Sequence, residues 1–389
     1  MKKVTFTALT LVLTLLISVA WAGSEKDLAK LGGLLYKDKN LSLNKNQSCK
    51  TCHHSAAGFA DPENLRDPIS FPVSDGSDPT LFGGRNAPSA AYAGFSPVFS
   101  WDDAIGGYVG GMFWDGRATG KRLGDPLAEQ ALGPFLNPVE MGMEKAAVVL
   151  AVSVSNYADL FARVFRGTDF TDVDGTYDNI GRAIAAFERG ATVTQFNSLF
   201  DKFWAACRQR GIDVSSIDTA TNLTTLPEGI LSATQLQGLA LFNDTAKGNC
   251  AACHPTTDYI DSAGTLHPPL FTDFSYDNIG LPTNPRVEYL SGVAPPDLGL
   301  GGFVEDSSQD GKFKVPTLRN VAKSAPYGHN GYFPTLQEIV IFFNTRDAGM
   351  WDDPEVAATV NFTELGELGL TRQEELQLVS FLGTLTDQE

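Results

Sequence analysis

Positive charge is scarce in this 389-residue chain: 29 lysines and arginines stand against 46 aspartates and glutamates, a net charge of −17. A surface this acidic does not hold a nucleic-acid backbone, because phosphate binding runs on lysine and arginine. It suits a basic redox partner or a cationic protein substrate, or it is simply well solvated. Beyond the N-terminus no apolar run is long enough to cross a membrane. A phosphate-cradling loop is also missing: Gly299-Leu300-Gly301-Gly302 lacks both the spacing and the strand context. Cysteine and histidine are rare as well, at five each, so a motif built from them stands out.

Two such motifs are present, Cys49-Lys50-Thr51-Cys52-His53 and Cys250-Ala251-Ala252-Cys253-His254. Each C-x-x-C-H offers two thiols to the vinyl groups of a haem and an imidazole to its iron, the attachment signature of a c-type haem. One such motif can arise by chance or mark a zinc or redox site. Two of them in so cysteine-poor a chain read as a two-haem c-type cytochrome. The remaining cysteine, Cys207, has no evident partner and reads as a buried free thiol.

The N-terminus agrees with that chemistry. Lys2 and Lys3 precede an apolar stretch from Val4 to Ala20, and Ala20-Trp21-Ala22 fits a small-residue cleavage site. Residues 1–22 are therefore expected to be a signal peptide, with the mature chain starting at Gly23 and a periplasmic product. Losing Lys2 and Lys3 leaves 27 basic against 46 acidic residues, a net charge of −19.

The expected fold is mostly α, with two cytochrome c-like haem domains and long irregular loops: an N-terminal domain over 23–212 and a C-terminal one over 213–389. Ser24 to Leu35 reads as a helix before the first motif. Ser232-Ala233-Thr234-Gln235 is a capping box that opens a helix over Gln235–Phe242 into the second. Another box, Thr371-Arg372-Gln373-Glu374, opens an amphipathic run to Leu382. Tyr177–Trp204 has helical periodicity, and polar Asp213–Pro227 reads as a connector. Glycine and proline cluster in Asp61–Gly84 and Thr265–Gly302, where long loops have a haem to pack against. Regular β structure should be minor.

Peroxide chemistry needs an open axial position with an acid–base group above it. With His53 and His254 as proximal ligands, only His54, His267 and His329 remain, and His54 is too close to His53 to reach the far face. The first haem then takes a methionine or stays five-coordinate. Gly133 to Met143 supplies either choice: Met141 or Met143 as ligand, or Glu140 in a proline-stiffened apolar loop where desolvation raises its pKa.

The order of motifs resembles the bacterial di-haem cytochrome c peroxidase and MauG family across nearly the whole mature chain. The matching pieces are Cys49–His53, Gly84-Arg85-Asn86-Ala87-Pro88-Ser89, Phe113-Trp114-Asp115-Gly116-Arg117, Gly133–Gly142, Cys250–His254, Phe313-Lys314-Val315-Pro316-Thr317-Leu318-Arg319-Asn320 and Ala325-Pro326-Tyr327-Gly328-His329-Asn330-Gly331. This resemblance implies a peroxidatic N-terminal haem and an electron-transferring C-terminal haem. It implies that Glu140 and Pro134 form the distal peroxide-activating loop and that Trp114 relays electrons between the haems. Asn86 and the carbonyls of Lys314 and Pro316 match the oxygen ligands of an inter-haem calcium. Arg117 and Arg319 match partners of haem propionates.

Two departures separate this chain from the best-known members of that family. Phe59 to Gly84 has no histidine where classical peroxidases keep a displaceable distal ligand, which resembles the MauG- or MbnH-like branch. Phe343 stands where members place an axial methionine or tyrosine, leaving the second haem five-coordinate or dependent on Met350, His329, Tyr327 or Tyr332. The expected activity is reduction of hydrogen peroxide with electrons from a small cytochrome c or cupredoxin. The alternatives are oxidation of tryptophan on a partner protein and a two-haem electron carrier without turnover.

Overall fold

The structure, a computed structural model, describes residues 25–388; the segment read as a signal peptide lies outside them. Helices dominate. The longer ones are α1 (25–35), α2 (Pro126–Leu136), α3 (Lys145–Ser153), α4 (Val173–Glu188), α5 (Leu199–Gln209), α6 (Ala233–Asn243), α7 (Leu336–Thr345) and α8 (Arg372–Gly383). Among the described residues, strands are confined to three antiparallel pairs. These are β1 (Ser100–Asp102) with β2 (Gly107–Val109), β3 (Tyr259–Ile260) with β4 (Leu266–His267), and β5 (Tyr276–Asp277) with β6 (Phe313–Lys314).

Local chemistry explains where helices start. In α6 the Ser232 hydroxyl accepts from the Gln235 N–H while the Gln235 side chain accepts from the Ser232 N–H, and Thr371 and Glu374 repeat this at α8. The run Tyr177–Trp204 is not one helix. It ends at Glu188 and restarts at Leu199, because Phe196 takes a left-handed φ of 49° and Ser198 with Asp201 forms a third capping box. The connector 213–227 holds two short 3-10 turns, and it is less polar in place than it reads, since Val214, Ile217 and Leu226 are buried.

Each haem motif sits at the foot of a helix crossing. The helix that precedes the motif packs on a later helix of the same half, and a glycine permits the close approach. A Cβ at Gly32 on α1 would lie 1.8 Å from the Ala183 carbonyl of α4, and one at Gly238 on α6 would lie 2.0 Å from the Gln377 carbonyl of α8. Around the first crossing Leu31, Leu35, Phe135, Val149, Phe161 and Ile180 form one core, with Cys49 packed against it. Around the second, Leu239, Phe242, Phe271, Phe342 and Phe381 form another, with Cys250 packed against it. Each such aromatic or aliphatic side chain contributes about 1.5–3 kcal/mol on burial.

The division expected at 212/213 does not match these cores. Phe200, Phe203 and Cys207 of α5 lie in the second core, so the change of core falls before Leu199. A third cluster joins the halves, with Phe59, Tyr92 and Val193 meeting Leu270 and Phe274. Among the described residues, no single helix is long and apolar enough to cross a membrane.

Candidate active site

The two C-x-x-C-H histidines are held by the same device. His53 Nδ1 lies 3.1 Å from the Phe59 carbonyl, and His254 Nδ1 lies 2.8 Å from the Phe271 carbonyl. A carbonyl can only accept, so Nδ1 carries the proton and Nε2 is left for iron. Burial lowers both imidazole pKa values, opposed by hydrogen bonding to Phe59 and Pro88 at the first and to Phe271 and Pro316 at the second. Both acceptor phenylalanines are in the left-handed region, at φ 63° and 54°. Bulky residues rarely adopt that region and pay of order 1–2 kcal/mol there.

The parallel runs further. Ser89 donates to the Gly58 carbonyl at 2.6 Å, and Thr317 donates to the Leu270 carbonyl at 2.6 Å. Three residues after each hydroxyl comes a left-handed residue, Tyr92 or Asn320, both at φ 62°, which opens a three-residue 3-10 turn. Those two equivalent residues converge on one carboxylate: the Tyr92 hydroxyl and the Asn320 Nδ2 both donate to Asp387, at 2.8 and 2.9 Å.

What faces the motifs differs. Cys49, Cys52 and His53 line a cavity of about 500 Å³ that is also lined by Trp114, Arg117, Pro134 and Glu140. The structure therefore brings the expected catalytic residues to the first motif. Gly133–Met143 is less of a loop than the sequence suggests, because α2 runs to Leu136 with Pro134 inside its last turn. Glu140 sits in the turn that follows, its N–H bonded to the Asn137 carbonyl at 3.0 Å. Asn137 Nδ2 donates to Glu140 Oε1 at 2.7 Å. Burial pushes the Glu140 carboxyl above its ordinary value, while Asn137 and the Arg117 charge pull it back. Arg117 lies over the Phe113 ring at 4.0 Å and bonds Asp115 at 2.7 Å.

Trp114 connects this cavity to the second half. Its Nε1 donates to the Asn86 carbonyl at 2.9 Å, and its own carbonyl accepts from the Lys314 N–H at 2.8 Å. Asn86 Nδ2 donates to the Pro72 carbonyl at 3.0 Å, leaving its Oδ1 for another ligand.

Haem fits these residues. Two of the buried side-chain oxygens without a partner, Gln47 Oε1 and Glu188 Oε2, belong to residues lining this cavity. Buried orphans of this kind point to a missing ligand. The Lys314 ammonium lies over the Phe274 ring, and burial holds its pKa down to about 7 against the opposing Asp273 charge.

Other expected residues lie elsewhere. Arg319 is not available to a propionate: it is buried and gives two N–H bonds to Asp201 and two to the Pro269 carbonyl. Such a pair needs partners of its own to be tolerated in the interior. His329 stacks on Phe313 at 3.5 Å and faces Glu355, and the Tyr327 hydroxyl donates to the Val321 carbonyl. Met350 is 64% exposed, and Phe343 packs on the second core. Tyr332, the fourth candidate, is half-buried and packs edge-on against Phe333 at 4.9 Å. His54 caps a turn by accepting from Ala56 N–H, and His267 pairs with Asp261. Met141 is buried and lines the first cavity.

Sequence reasoning missed Asn137, Gln130 and Glu188, all lining that cavity. Proline at 134 leaves the Gln130 carbonyl without its helical donor, a signal readable from spacing.

A model of the di-haem cytochrome c peroxidase family matches residues 26–209. The chain is 35% identical to the methylamine utilization protein MauG of Paracoccus denitrificans, covering 93% of this chain and 89% of the relative. Among solved structures, the Y463M variant of the dihaem peroxidase BthA from Burkholderia thailandensis superposes with a TM-score of 0.75 at 30% identity, covering 93% of this chain and 86% of that one. A MauG-like protein associated with microbial copper homeostasis gives a TM-score of 0.63 at 28% identity, covering 93% and 90%.

Proposed function

The chain belongs to the di-haem cytochrome c peroxidase family, and it is a haem enzyme acting on peroxide; on that premise we propose that its peroxidatic centre is the cavity at His53, with Glu140 as the acid–base group. The observation that carries this is one cavity holding the first C-x-x-C-H motif and a buried, oriented carboxyl. Cys49, Cys52 and His53 would hold a c-type haem, which would supply the redox chemistry that peroxide cleavage needs.

Glu140 takes the proton from one peroxide oxygen and delivers it to the other, so that one water leaves. Asn137 holds the carboxyl in register through Oε1. Pro134 walls the site, and Arg117 adds a positive charge beside it. Cys250, Cys253 and His254 would hold a second haem, and Trp114 stands where it would relay electrons between the two. Asn86 Oδ1 and the carbonyls of Lys314 and Pro316 would hold a calcium, which would add oxygen ligation between the halves. The protein works in the periplasm as two haem units, and a small cytochrome c or cupredoxin is its donor.

A second reading is oxidation of a partner protein in the MauG manner. It is favoured by the distal lining: His53 is the only histidine among the residues lining the cavity, so no imidazole guards the open face. Stopped-flow absorbance of the fully oxidised holoprotein with one equivalent of hydrogen peroxide tests both. A rapid Soret change without prior reduction is expected. A response only after partial reduction overturns the open-face reading, and no response in either state leaves only electron transfer.

A further inference from the structure

The β1–β2 hairpin carries a feature that the peroxidatic centre does not use. Trp101 is 49% exposed and faces Tyr108 directly across the strand pair, the rings edge-on at 5.1 Å. Tyr108 stacks on buried Phe99 at 5.0 Å, and Phe99 meets Tyr276 at 6.0 Å. The Tyr276 hydroxyl lies so close to Gly116 that a Cβ there would be 2.3 Å away. Gly116 is two residues from Trp114, and Tyr276 pairs across β5–β6 with Lys314, whose N–H donates to the Trp114 carbonyl. A line of rings thus runs from Tyr276 to an exposed tryptophan, and the backbone of Gly116 and Lys314 joins Tyr276 to the cavity's Trp114.

The ends of that line are chemically distinct. The Trp101 Nε1 donates to Asp103 Oδ1 at 3.0 Å, so an indole that loses an electron has a carboxylate to take its proton. Tyr276 donates only to the Gly110 carbonyl, which cannot keep a proton, and Phe99 has none to give. A hole therefore passes through the middle of the line and rests at its surface end. Trp204 makes a useful contrast. Its Nε1 also donates to a carboxylate, Asp258, but that acid is held in an ion pair with Arg208, whereas Asp103 makes no ion pair among the described residues. Ile105 and Val98 are exposed in the same region, giving an apolar landing beside the indole.

We propose that Trp101 is a surface oxidation site, reached from the first-haem cavity through Tyr276, Phe99 and Tyr108, that takes electron-rich aromatic donors too large to enter the cavity. This rests on the reading of the His53 cavity as peroxidatic. One hydrogen peroxide supplies two oxidising equivalents. For each, Trp101 gives one electron inward and its Nε1 proton to Asp103, then regains an electron from a phenol and its proton from Asp103, while the phenol's proton goes to solvent and one proton from solvent enters the cavity with the electron. The sum is one peroxide and two phenols giving two phenoxyl radicals and two waters.

The test uses holoprotein, hydrogen peroxide and a phenol linked to dextran, with the peroxide-induced Soret change followed in parallel. Trp101→Phe should lower dextran-phenol oxidation by roughly tenfold or more while the Soret response keeps its wild-type rate. Asp103→Asn should slow the same reaction without changing the Soret response, and Trp204→Phe should leave both as they are. Peptide mapping of wild-type protein treated with peroxide and no donor should find oxygen added at Trp101. Unchanged dextran-phenol oxidation in Trp101→Phe, or an unmodified Trp101, overturns the relay alone. A wild-type protein with no Soret response overturns the peroxidatic reading and the relay with it.

Discussion

The two haem-binding motifs are held by cradles that match almost atom for atom and faced by surroundings that do not. In each, a histidine Nδ1 meets the carbonyl of a left-handed phenylalanine, and a Pro-Ser or Pro-Thr pair fixes the residue before it. Above the first lie Glu140, Arg117 and Gln130 in an open cavity; around the second lie Phe342, Phe343 and Tyr327 in a packed aromatic core. The lesson is that histidine orientation and reactivity are separable properties. Backbone carbonyls set the first at both sites, and on the proposed reading the titratable side chains of the first cavity set the second.

The most severe way to break that contrast is to remove its acid. Glu140→Gln should slow the peroxide-induced Soret change by about 10²–10⁴-fold, the usual worth of a general acid–base group, with both haems still attached by pyridine haemochrome assay. Because burial raises the Glu140 pKa, the wild-type rate should climb with pH through a midpoint above the ordinary 4.5 for glutamate. Asn137→Ala removes the bond that opposes burial, so the midpoint should move further up and the rate should fall. An unchanged profile in Asn137→Ala would mean that Asn137 does not position the carboxyl.

The next effect falls on the joint between the cradles. Asp387 takes hydrogen bonds from Tyr92 and Asn320, the equivalent residues of the two halves, and its own N–H donates to Asn320 Oδ1 at 2.8 Å. Asp387→Ala strands two buried donors and should cost about 2–3 kcal/mol, read by chemical denaturation. Within the cradles, Ser89→Ala and Thr317→Ala should each cost about 1 kcal/mol. Matching losses would show that the cradles are energetically as well as geometrically alike. A silent member of the pair would break the equivalence.

Much of this was legible in the sequence, and the reasons are local. Capping boxes at Ser232 and Thr371 act over four residues, so they could be read directly, and the C-x-x-C-H spacing is equally short-range. Glu140 and Trp114 were placed by resemblance, and the structure brings both into the cavity at His53. The duplicated cradle was hidden because the spacing from histidine to its phenylalanine differs between halves, from His53 to Phe59 and from His254 to Phe271. Only the short pairs Pro88-Ser89 and Pro316-Thr317 repeat. Arg319 was misread because an arginine's partner is a matter of distant contacts: Asp201 lies on α5, in the stretch assigned from periodicity to one long helix. The core does not change at 212/213 for the same reason, since a polar connector marks a change of chain character rather than of core.

The smallest difference is one of pH, and it concerns a residue that sequence reasoning passed over. Glu188 lies at the end of α4, is buried, and has one carboxyl oxygen without a partner. Burial lifts its pKa from 4.5 to about 8. The folded chain therefore holds a proton that the unfolded chain releases near 4.5, so this contribution to stability is fully present below 4.5 and is lost as pH rises through about 8. Glu188→Gln removes the titration while keeping the size. The difference in melting temperature between variant and wild type should be near zero at low pH and should grow in favour of the variant up to mildly alkaline pH. A difference that stays flat across that range would mean that Glu188 finds a partner for its charge inside the cavity. The open cradle would then be better compensated than its two orphaned oxygens suggest.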